Sequence, residues 1–393
     1  MLLPGPEAQQ LATYIGWLLH GTRGGVVAGT LFVLPGFVVI LTLSTLYALF
    51  QKTVWLDGLF FGLKAAVLAI VVEAVIRVGR RALRNRVMVG LAVAAFLALF
   101  VFDVAFPVVV AAAGLIGFLG VRARPDLFGG GGGHGGKGGG TVTGAVIDAD
   151  PHHLAPSPAR TAGVIAVWGG LWAAPIVGLA LVFGPQTVFV GLAGFFSKMA
   201  VVTFGGAYAV LAYVAQQAVE GFGWLSAPEM VDGLALAETT PGPLILVLTF
   251  VGFLAGFRDP TGLGPLAGGL LGAVTVTWVT YVPCFLWIFL GAPHVERLRA
   301  NRAFAGALAA ITAAVVGVIT NLALWFALHV LFREVGRVDL GPVSIARPVV
   351  ASLDPTAALL AAVAVAALFR GRLGVPKTLA LCGVLGLAVR MLG

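Results

Sequence analysis

The chain has 393 residues, of which 60% are hydrophobic and only 10% are charged. Soluble domains usually carry about a quarter of charged residues, so this composition excludes an ordinary soluble protein. The formal charge of +8 comes from arginines in short loops between apolar stretches, which sets orientation in a lipid bilayer and does not indicate a nucleic-acid partner.

Apolar segments run almost end to end, many of them close to the ~20 residues that cross a hydrocarbon core. They are continuous and rich in Ala, Leu, Val and Gly, whereas a membrane β-barrel shows segments of about ten alternating residues. We predict an all-α, polytopic transmembrane bundle of about 10–12 membrane segments, some broken or re-entrant. The segments are 7–20, 24–50, 58–77, 87–105, 107–121, 161–184, 187–218, 241–257, 264–291, 303–330, 347–369 and 378–392.

The tripeptide Pro4-Gly5-Pro6 opens the first apolar segment. Proline is well tolerated at the first position of a helix, and glycine lets the preceding backbone turn sharply. A helix start inside a membrane presents free N–H groups and a positive dipole end, which together attract anions. A turn at the membrane surface is the alternative. Gln10 follows one turn later, and Glu7 is a candidate for proton coupling or for capping the first turn.

Charged residues inside the first half need partners, because an unpaired charge in a membrane is costly. Lys64 and Glu73 are nine residues apart, about two and a half turns, so they should not pair with each other. Glu73 lies next to an arginine-rich loop and is expected to pair there.

Residues 122–160 interrupt the apolar pattern and divide the chain in two. The glycine tract at 129–140 predicts a flexible linker on the cytoplasmic side. Gly136-Lys137 is not a P-loop, because Gly138 stands where Ser or Thr is required. His152-His153 lacks further ligands, so we predict no metal site.

The second half contains Phe204-Gly205-Gly206, which should weaken a helix in the membrane. Broken helices are tolerated there when they are buried or line a cavity, although small-residue packing is the alternative. Lys198 lies one to two turns earlier and either attracts an oxyanion or snorkels to an interface. Glu238 is the better candidate for proton coupling, whereas Glu229 and Asp232 could be merely interfacial.

Pro241-Gly242-Pro243 repeats the first tripeptide, and Gly252 aligns with Gly16. Downstream, 34–36 parallels 282–284 and the segment from Gly62 parallels the segment from Gly306. We therefore predict a repeat at 1–121 and a second at 161–393, joined by the linker at 122–160. Arginine-rich loops alternate between the copies, which predicts an inverted repeat with a substrate site near the bilayer midplane.

The segments LALAETTPGP, LLPGPEAQQLATYIGWLLHG and LFVLPG, with the FGG and Trp224-Leu225 motifs, resemble the signatures of the chromate ion transporter family in its long, two-half form. The resemblance covers nearly the whole chain except the linker. It implies secondary active transport of chromate, as efflux that confers resistance, across a bacterial inner membrane. The substrate-binding candidates from the residues themselves are Pro4, Gly5, Pro6, Gln10, Lys198, Phe204, Gly205, Gly206, Pro241, Gly242 and Pro243, and the coupling candidates are Glu238 and Glu7.

The chain departs from that family pattern at its front. Relatives carry a further FGG-type segment before the first Pro-Gly-Pro, so the first repeat is expected to be incomplete at its N-terminus, through a misassigned start or a truncated gene. Transport of sulfate or another tetrahedral oxyanion, and a non-functional remnant, stay open. No HExxH or GxSxG motif occurs, which argues against an enzyme. No cofactor is expected, and the resemblance leaves a homodimer open.

Overall fold

A computed structural model describes residues 3–51, 53–128, 157–204, 206–294, 301–341 and 343–392. Within these ranges the chain is helical apart from one short hairpin, and seven helices are long and apolar enough to span a membrane. Four shorter apolar helices accompany them. A polytopic membrane bundle, as predicted, is the resulting architecture.

The described residues of the first half form four helices, and the first of them is folded back on itself. Helix α1 (Glu7–Phe50) has non-helical backbone angles at His20 and Gly21. Residues eight apart in a straight helix would be about 12 Å apart, yet a Cβ on Gly16 would lie 2.4 Å from the carbonyl oxygen of Gly24. The chain therefore turns back there, giving one arm at 7–19 and another at 22–50. The remaining helices are α2 (Val54–Ala82), α3 (Arg86–Phe100) and α4 (Phe106–Ala123).

The second half contains more helices, several of them short. An apolar helical segment, α5 (Pro158–Phe183), begins within the last residues of the predicted linker. The others are α6 (Val188–Val202), α7 (Ala207–Gln216), α8 (Ala227–Thr239), α9 (Val247–Arg258), α10 (Pro265–Gly291), α11 (Arg302–Leu331), α12 (Pro355–Phe369) and α13 (Val375–Leu392).

Helices α9 and α10 pack as closely as the two arms of α1. A Cβ on Gly252 would lie 2.6 Å from the carbonyl oxygen of Gly272, just as Gly16 faces Gly24. Small residues let helix backbones approach in lipid, where packing and not the hydrophobic effect drives association. The aligned glycines Gly16 and Gly252 thus share one packing role, the joining of a helical hairpin.

The halves also pack against each other through two pairs of helices. Helix α2 of the first half packs on α13, the last helix of the second half, and α11 of the second half packs on α4, the last helix of the first half. In α2, a Cβ on Gly62 would lie 1.8 Å from the carbonyl oxygen of Cys382 in α13. In α11, a Cβ on Gly306 would lie 1.9 Å from Val121 Cγ2 in α4. The aligned glycines Gly62 and Gly306 therefore occupy reciprocal contacts between the halves.

The all-α prediction is incomplete at one loop. Strands β1 (Val335–Leu340) and β2 (Val343–Pro348) form an antiparallel hairpin between α11 and α12. Arg337 in β1 is paired with Asp103, at 3.4 Å, and with Glu220, at 2.9 Å. The backbone N–H of Ser344 donates to the carbonyl of Val101 at 2.9 Å. These contacts hold the hairpin over the junction of the two halves.

Asp354, at the base of this hairpin, caps helix α12. Burial acts to raise its pKa, but hydrogen bonds from Thr356, Ala357 and Arg333 outweigh it and lower the pKa from 3.8 to about 2. Because the folded-state pKa is depressed, the stabilisation is complete above pH 4 and is lost as pH falls toward 2. We expect Asp354→Asn to lower stability in detergent by on the order of 1 kcal/mol at neutral pH, because asparagine still caps the helix but lacks the charge that favours the helix start and pairs with Arg333. That difference should shrink as thermal unfolding is measured at lower pH, and a constant difference would contradict this role.

Candidate functional site

Both Pro-Gly-Pro tripeptides precede helix starts, as predicted. The second proline was expected to be the first residue of each helix, but each helical segment begins one residue after it. Pro6 and Pro243 are the residues before the helix, not its first residues, and neither start has a side-chain cap. Helix α1 begins directly at Glu7. The second tripeptide leads first into a short 3-10 turn at Leu244–Leu246 and then into α9. The first-turn N–H groups that an anion would need therefore follow each tripeptide.

The first tripeptide is held by contacts to the second half of the chain. Gly5 has a φ of 121°, and its N–H donates to the carbonyl of Thr203 at 2.9 Å. Gln10 Nε2 donates to the carbonyl of Pro4 at 2.5 Å, which closes the turn over the start of α1. A Cβ on Gly5 would lie 2.9 Å from Cys284 Sγ. The turn therefore requires glycine both for its backbone angle and for the space available.

The second tripeptide is packed against the first half in the corresponding way. Gly242 has a φ of 134°, close to that of Gly5. A Cβ on Gly36 would lie 2.6 Å from the carbonyl oxygen of Pro241 and 3.5 Å from the Cα of Gly242. Gly36 and Cys284 were aligned in the repeat, so the two turns contact equivalent positions of opposite halves.

The predicted helix break at Phe204-Gly205-Gly206 is present. Helix α6 ends at Val202, Gly206 has a φ of 102°, and α7 begins at Ala207. Phe204 is partly buried against the core, and Gly205 lies outside the described residues. Because the Thr203 carbonyl is free of helical hydrogen bonding there, it can accept the Gly5 N–H. The break thus adjoins the first Pro-Gly-Pro turn.

Glu238 joins this break to the second turn. Tyr208, two residues after the break, donates its hydroxyl hydrogen to Glu238 Oε1 at 2.5 Å. Glu238 lies one residue before the end of α8 and three residues before Pro241. Glu73 and Arg77 are close enough to act electrostatically on Glu238, and they pair with each other at 3.8 Å as the sequence predicted for Glu73. Glu238 is therefore the carboxylate that lies nearest in sequence to the second helix start.

A largely apolar cavity of about 770 Å³ adjoins Glu238. Its polar wall comes from Glu238, Thr239 and the hydroxyl-bearing Tyr47, and the rest is contributed by α1, α2, α8 and α13. An apolar wall with few polar groups is typical of small-molecule sites, in which the polar groups set orientation. Within the described residues, then, a carboxylate and a cavity lie together between the two halves.

Polar side chains are buried behind the first turn. Gln9 and Thr13 are completely buried, and Gln9 Nε2 donates to Thr13 Oγ1 at 3.2 Å. Gln9 Oε1 has no hydrogen-bond partner among the described residues. A buried amide without a partner is costly, so this side chain is held beside the start of α1 at an energetic cost.

The two remaining predicted residues lie in different settings. Glu7 is half-buried in the first turn of α1, directly after Pro6. Lys198 lies on the exposed face of α6 together with Gly194 and Val201, and it forms no ion pair with any described residue. The structure therefore brings Glu7 to the first turn but does not bring Lys198 into the buried polar cluster.

An ion pair that the sequence interpretation missed lies between the halves. Lys64 Nζ in α2 is 3.2 Å from Asp232 Oδ1 in α8, a charge contact rather than a well-aligned hydrogen bond. Tyr47 donates its hydroxyl hydrogen to Asp232 Oδ2 at 2.9 Å. Asp232 is only 5% exposed, so it is buried and paired inside the protein, which the sequence interpretation did not anticipate. Glu229, by contrast, caps α8 and pairs with Arg258.

The sequence does indicate that Lys64 needs a partner, because a lone cation inside a 29-residue apolar helix is costly. It does not indicate which residue that partner is, since Asp232 lies in a distant part of the chain. Among the described residues no group of three His, Cys, Asp or Glu side chains is arranged to hold a metal ion. His152 and His153 lie outside the described residues.

Comparison with known proteins identifies the family. The chromate transporter family model matches residues 1–118 and 190–387. The chromate transport protein of Pseudomonas aeruginosa is 33% identical over 321 residues, covering 81% of this chain and 67% of that protein. The chromate transport protein of Cupriavidus metallidurans is 27% identical over 323 residues, covering 81% and 69%.

A more distant relative is an uncharacterized transporter of Methanocaldococcus jannaschii, 25% identical over 329 residues that cover 84% of this chain and 73% of that protein. No solved structure matches the chain. The family model covers most of the chain, including both Pro-Gly-Pro turns and the break between α6 and α7. The chain therefore belongs to the chromate transporter family, a family of transporters and not of enzymes.

Proposed function

We propose that this chain is a secondary active transporter of chromate, working as an efflux system of a bacterial inner membrane and conferring chromate resistance. The observation that carries the proposal is the pair of uncapped helix starts behind Pro-Gly-Pro turns, each seated on the opposite half. Relatives that bear the name chromate transport protein support the choice of substrate. Sulfate or another tetrahedral oxyanion is the second candidate, because it shares the charge and shape of chromate.

We further infer that residues 1–121 and 161–393 form an inverted repeat around the linker at 122–160. Asn85, after α2, donates its side-chain N–H to the Leu127 carbonyl, after α4, at 2.9 Å, so α2 and α4 end on one side. Helix α11 starts against that same end of α4, through Gly306 and Val121. The aligned helices α2 and α11 then run in opposite directions, which supports an inverted repeat.

In this proposal, the oxyanion is held by N–H groups that follow Pro4-Gly5-Pro6 and Pro241-Gly242-Pro243, with Gln10 and the break at 204–206 shaping the site. Helix N-termini attract anions by their free N–H groups and dipoles without any bound cation. Lys198 would serve the approach of the anion, because it is exposed on α6, close to the break. Glu238 and Glu7, next to the second and first helix starts, would couple protons.

Transport is testable in everted membrane vesicles that contain the full chain. We expect accumulation of chromate driven by an imposed ion gradient, with sulfate competing if the two anions share the site. Vesicles without the protein provide the background. If the chain moves neither anion above that background, the transporter proposal is overturned and the non-functional alternative is supported.

Glu238→Gln is expected to flatten the pH dependence of chromate transport while leaving the fold intact. The change removes a proton-binding group but keeps a side chain that can still bond to the Tyr208 hydroxyl. General acid–base groups contribute roughly 10²–10⁴-fold in enzymes; for a transport cycle, we expect a loss of at least about tenfold at the optimal pH. Glu73→Gln is the matched control, because Glu73 lies nearby but is already paired with Arg77. An unchanged pH profile for Glu238→Gln would remove this residue from coupling.

A further inference from the structure

The Gln9 side chain is a buried amide whose hydrogen-bonding groups are only partly used. Gln9 is completely buried in the first turn of α1, and its Nε2 donates to Thr13 Oγ1 at 3.2 Å. Its Oε1 has no partner among the described residues. A buried polar atom without a partner costs free energy that an apolar side chain of similar size would avoid. The amide therefore needs an explanation other than local packing.

The second half of the chain shows that packing does not require an amide at this position. Counted from the tripeptides, Gln9 corresponds to Leu246. Counted from the aligned glycines Gly16 and Gly252, it corresponds to Ile245. Both of these residues are apolar and buried. Of the two equivalent helix starts, only the first carries a polar side chain here, which points to a ligand and not to the fold.

Gln9 also carries one of the free N–H groups of the first helix start. Helix α1 begins at Glu7, and Gln10 N is the first to donate back to the turn, to the Pro6 carbonyl at 3.0 Å. The N–H groups of residues 7–9 therefore have no partner within the helix. The Cα–Cβ bonds of a helix tilt toward its N-terminus, so the Gln9 side chain leaves the backbone on the side of these N–H groups. An anion held by them would lie next to the amide.

The second Pro-Gly-Pro turn also comes close to Gln9. A Cβ on Gly29 would meet Thr13 Oγ1, so the two antiparallel arms of α1 are level at these residues. Toward the open end of this hairpin, Gln9 lies four residues from Thr13. Gly36 lies seven residues from Gly29 in the same direction, which leaves about 4.5 Å between Gln9 and Gly36 along the axis. Gly36 is the residue on which the Pro241 carbonyl packs, so an anion between the two helix starts is within reach of the Gln9 amide.

The amide can serve an anion if it turns by 180° about its last side-chain bond. A hydroxyl both donates and accepts hydrogen bonds, and the two ends of an amide have nearly the same size. After the turn, Thr13 donates its hydroxyl hydrogen to Gln9 Oε1, and Nε2 takes the place of the oxygen that had no partner. Both ends of the amide are then used, the carbonyl by Thr13 and the N–H groups by the anion.

We propose that Gln9 is a further substrate-binding residue, which donates its side-chain N–H groups to the oxyanion between the two helix starts. Thr13 is a positioning residue, because it holds the carbonyl end of the amide and does not contact the anion. The inference rests on the proposed transport function and adds a residue to its site. Neutral donors bind a dianion without taking up or releasing a proton, so this role leaves proton coupling to Glu238 and Glu7.

The test compares the purified full chain with Gln9→Leu, using chromate as the probe and sulfate as the competitor. Initial rates of counterflow in liposomes without a pH gradient give KM and Vmax. Gln9→Leu should raise the KM for chromate roughly ten- to hundredfold, as expected for the loss of a hydrogen bond to a charged group. In thermal unfolding in detergent, chromate should stabilise the wild type, and the same concentration should not stabilise Gln9→Leu.

The stability of the anion-free protein distinguishes a binding role from a structural one. Gln9→Leu removes a buried oxygen without a partner, so the variant should unfold at the same temperature as the wild type or at a higher one. The Thr13 hydroxyl can then donate to the backbone carbonyl of residue 9, as Thr42 donates to the Val38 carbonyl at 2.9 Å. If Gln9→Leu is less stable than the wild type without the anion, the amide is structural and the proposal is overturned.

A double-mutant cycle tests whether Thr13 acts through the amide. Thr13→Val keeps the shape of the side chain but removes the hydroxyl, and it should raise KM severalfold. Added to Gln9→Leu, it should have no further effect, because the amide that it positions is already gone. The matched control is Thr249→Val, since Thr249 aligns with Thr13 and bonds to Thr277 at 2.8 Å; it should keep the wild-type KM. Additive effects of the two variants would overturn the positioning role.

Gln9→Met keeps the proposal falsifiable if Gln9→Leu does not fold. Its straight side chain fills the space of glutamine without the amide, and it should show the same rise in KM. A folded Gln9→Met or Gln9→Leu with the wild-type KM would overturn the binding role.

The outcomes separate this inference from the proposed function. If the wild type exchanges neither chromate nor sulfate, the transport proposal itself fails. If the wild type exchanges chromate and the Gln9 variants retain its KM, transport stands and only the role of Gln9 is wrong.

Discussion

Gly5→Ala is expected to lower chromate transport by at least about tenfold while the protein still inserts and folds. Gly5 has a φ of 121°, which side-chain-bearing residues rarely adopt, and such strain costs about 1–3 kcal/mol. The added Cβ would also lie 2.8 Å from Gln10 Nε2 and 2.9 Å from Cys284 Sγ. Since the turn must move to relieve both, the start of α1 is displaced. Initial rates of transport in vesicles, normalised to protein content, measure the loss.

Gly242→Ala should act in the same direction but less strongly. Its φ of 134° is equally unfavourable, but its Cβ would meet only the end of the Leu246 side chain, at 3.2 Å, and Gly36 Cα at 3.5 Å. Gly90→Ala is the control, because Gly90 lies within α3 with no atom near the added Cβ. If Gly5→Ala transports chromate at the same initial rate as Gly90→Ala, the first turn does not position the site.

Gly62→Ala is expected to destabilise the bundle by about 3 kcal/mol, the upper part of the range for overpacked cores. The new Cβ would lie 1.8 Å from the Cys382 carbonyl oxygen and 2.6 Å from its carbon. These are backbone atoms, so α2 and α13 must move apart and lose their contact. Thermal unfolding in detergent, followed by the loss of monodisperse protein, measures the change.

The reciprocal contact offers a rescue experiment. In Gly306→Ala the nearest atom is Val121 Cγ2, at 1.9 Å, which is part of a side chain. Adding Val121→Ala should therefore recover part of the stability lost in Gly306→Ala, whereas truncating a side chain cannot relieve Gly62→Ala. Gly178→Ala, with no atom near its added Cβ, is the neutral control. Failure of Val121→Ala to improve Gly306→Ala would contradict the close packing of α11 on α4.

The positions of the turns and breaks were predictable because their signals are local. Proline and glycine restrict or release the backbone of their own residues, so Pro4-Gly5-Pro6 and the break before Ala207 could be placed from sequence. The helix starts fell one residue later than predicted, since Pro6 and Pro243 precede the helices. The fold-back of α1 at His20 and Gly21 was anticipated by the gap between two apolar segments.

The partners of the charged side chains were not predictable in the same way. A lone Lys64 in an apolar helix signals that a partner exists, but its identity depends on how α2 packs on α8. Asp232 has the local sequence of an interfacial residue near Glu229, and only the packing of the halves buries it. Similarly, Arg337 is an ordinary loop arginine until the hairpin brings it to Asp103 and Glu220.

By itself, the sequence determined that this is a membrane protein with two related Pro-Gly-Pro turns, because hydropathy and backbone chemistry act within short stretches of chain. The chromate transporter type came from the resemblance of its motifs to that family. Only the tertiary structure decided what each turn contacts, that Lys198 lies on an exposed face, and that Lys64 meets Asp232 between the halves. Those features depend on contacts between residues far apart in the chain. Such contacts are set by close helix packing at residues such as Gly62 and Gly306, not by any local pattern.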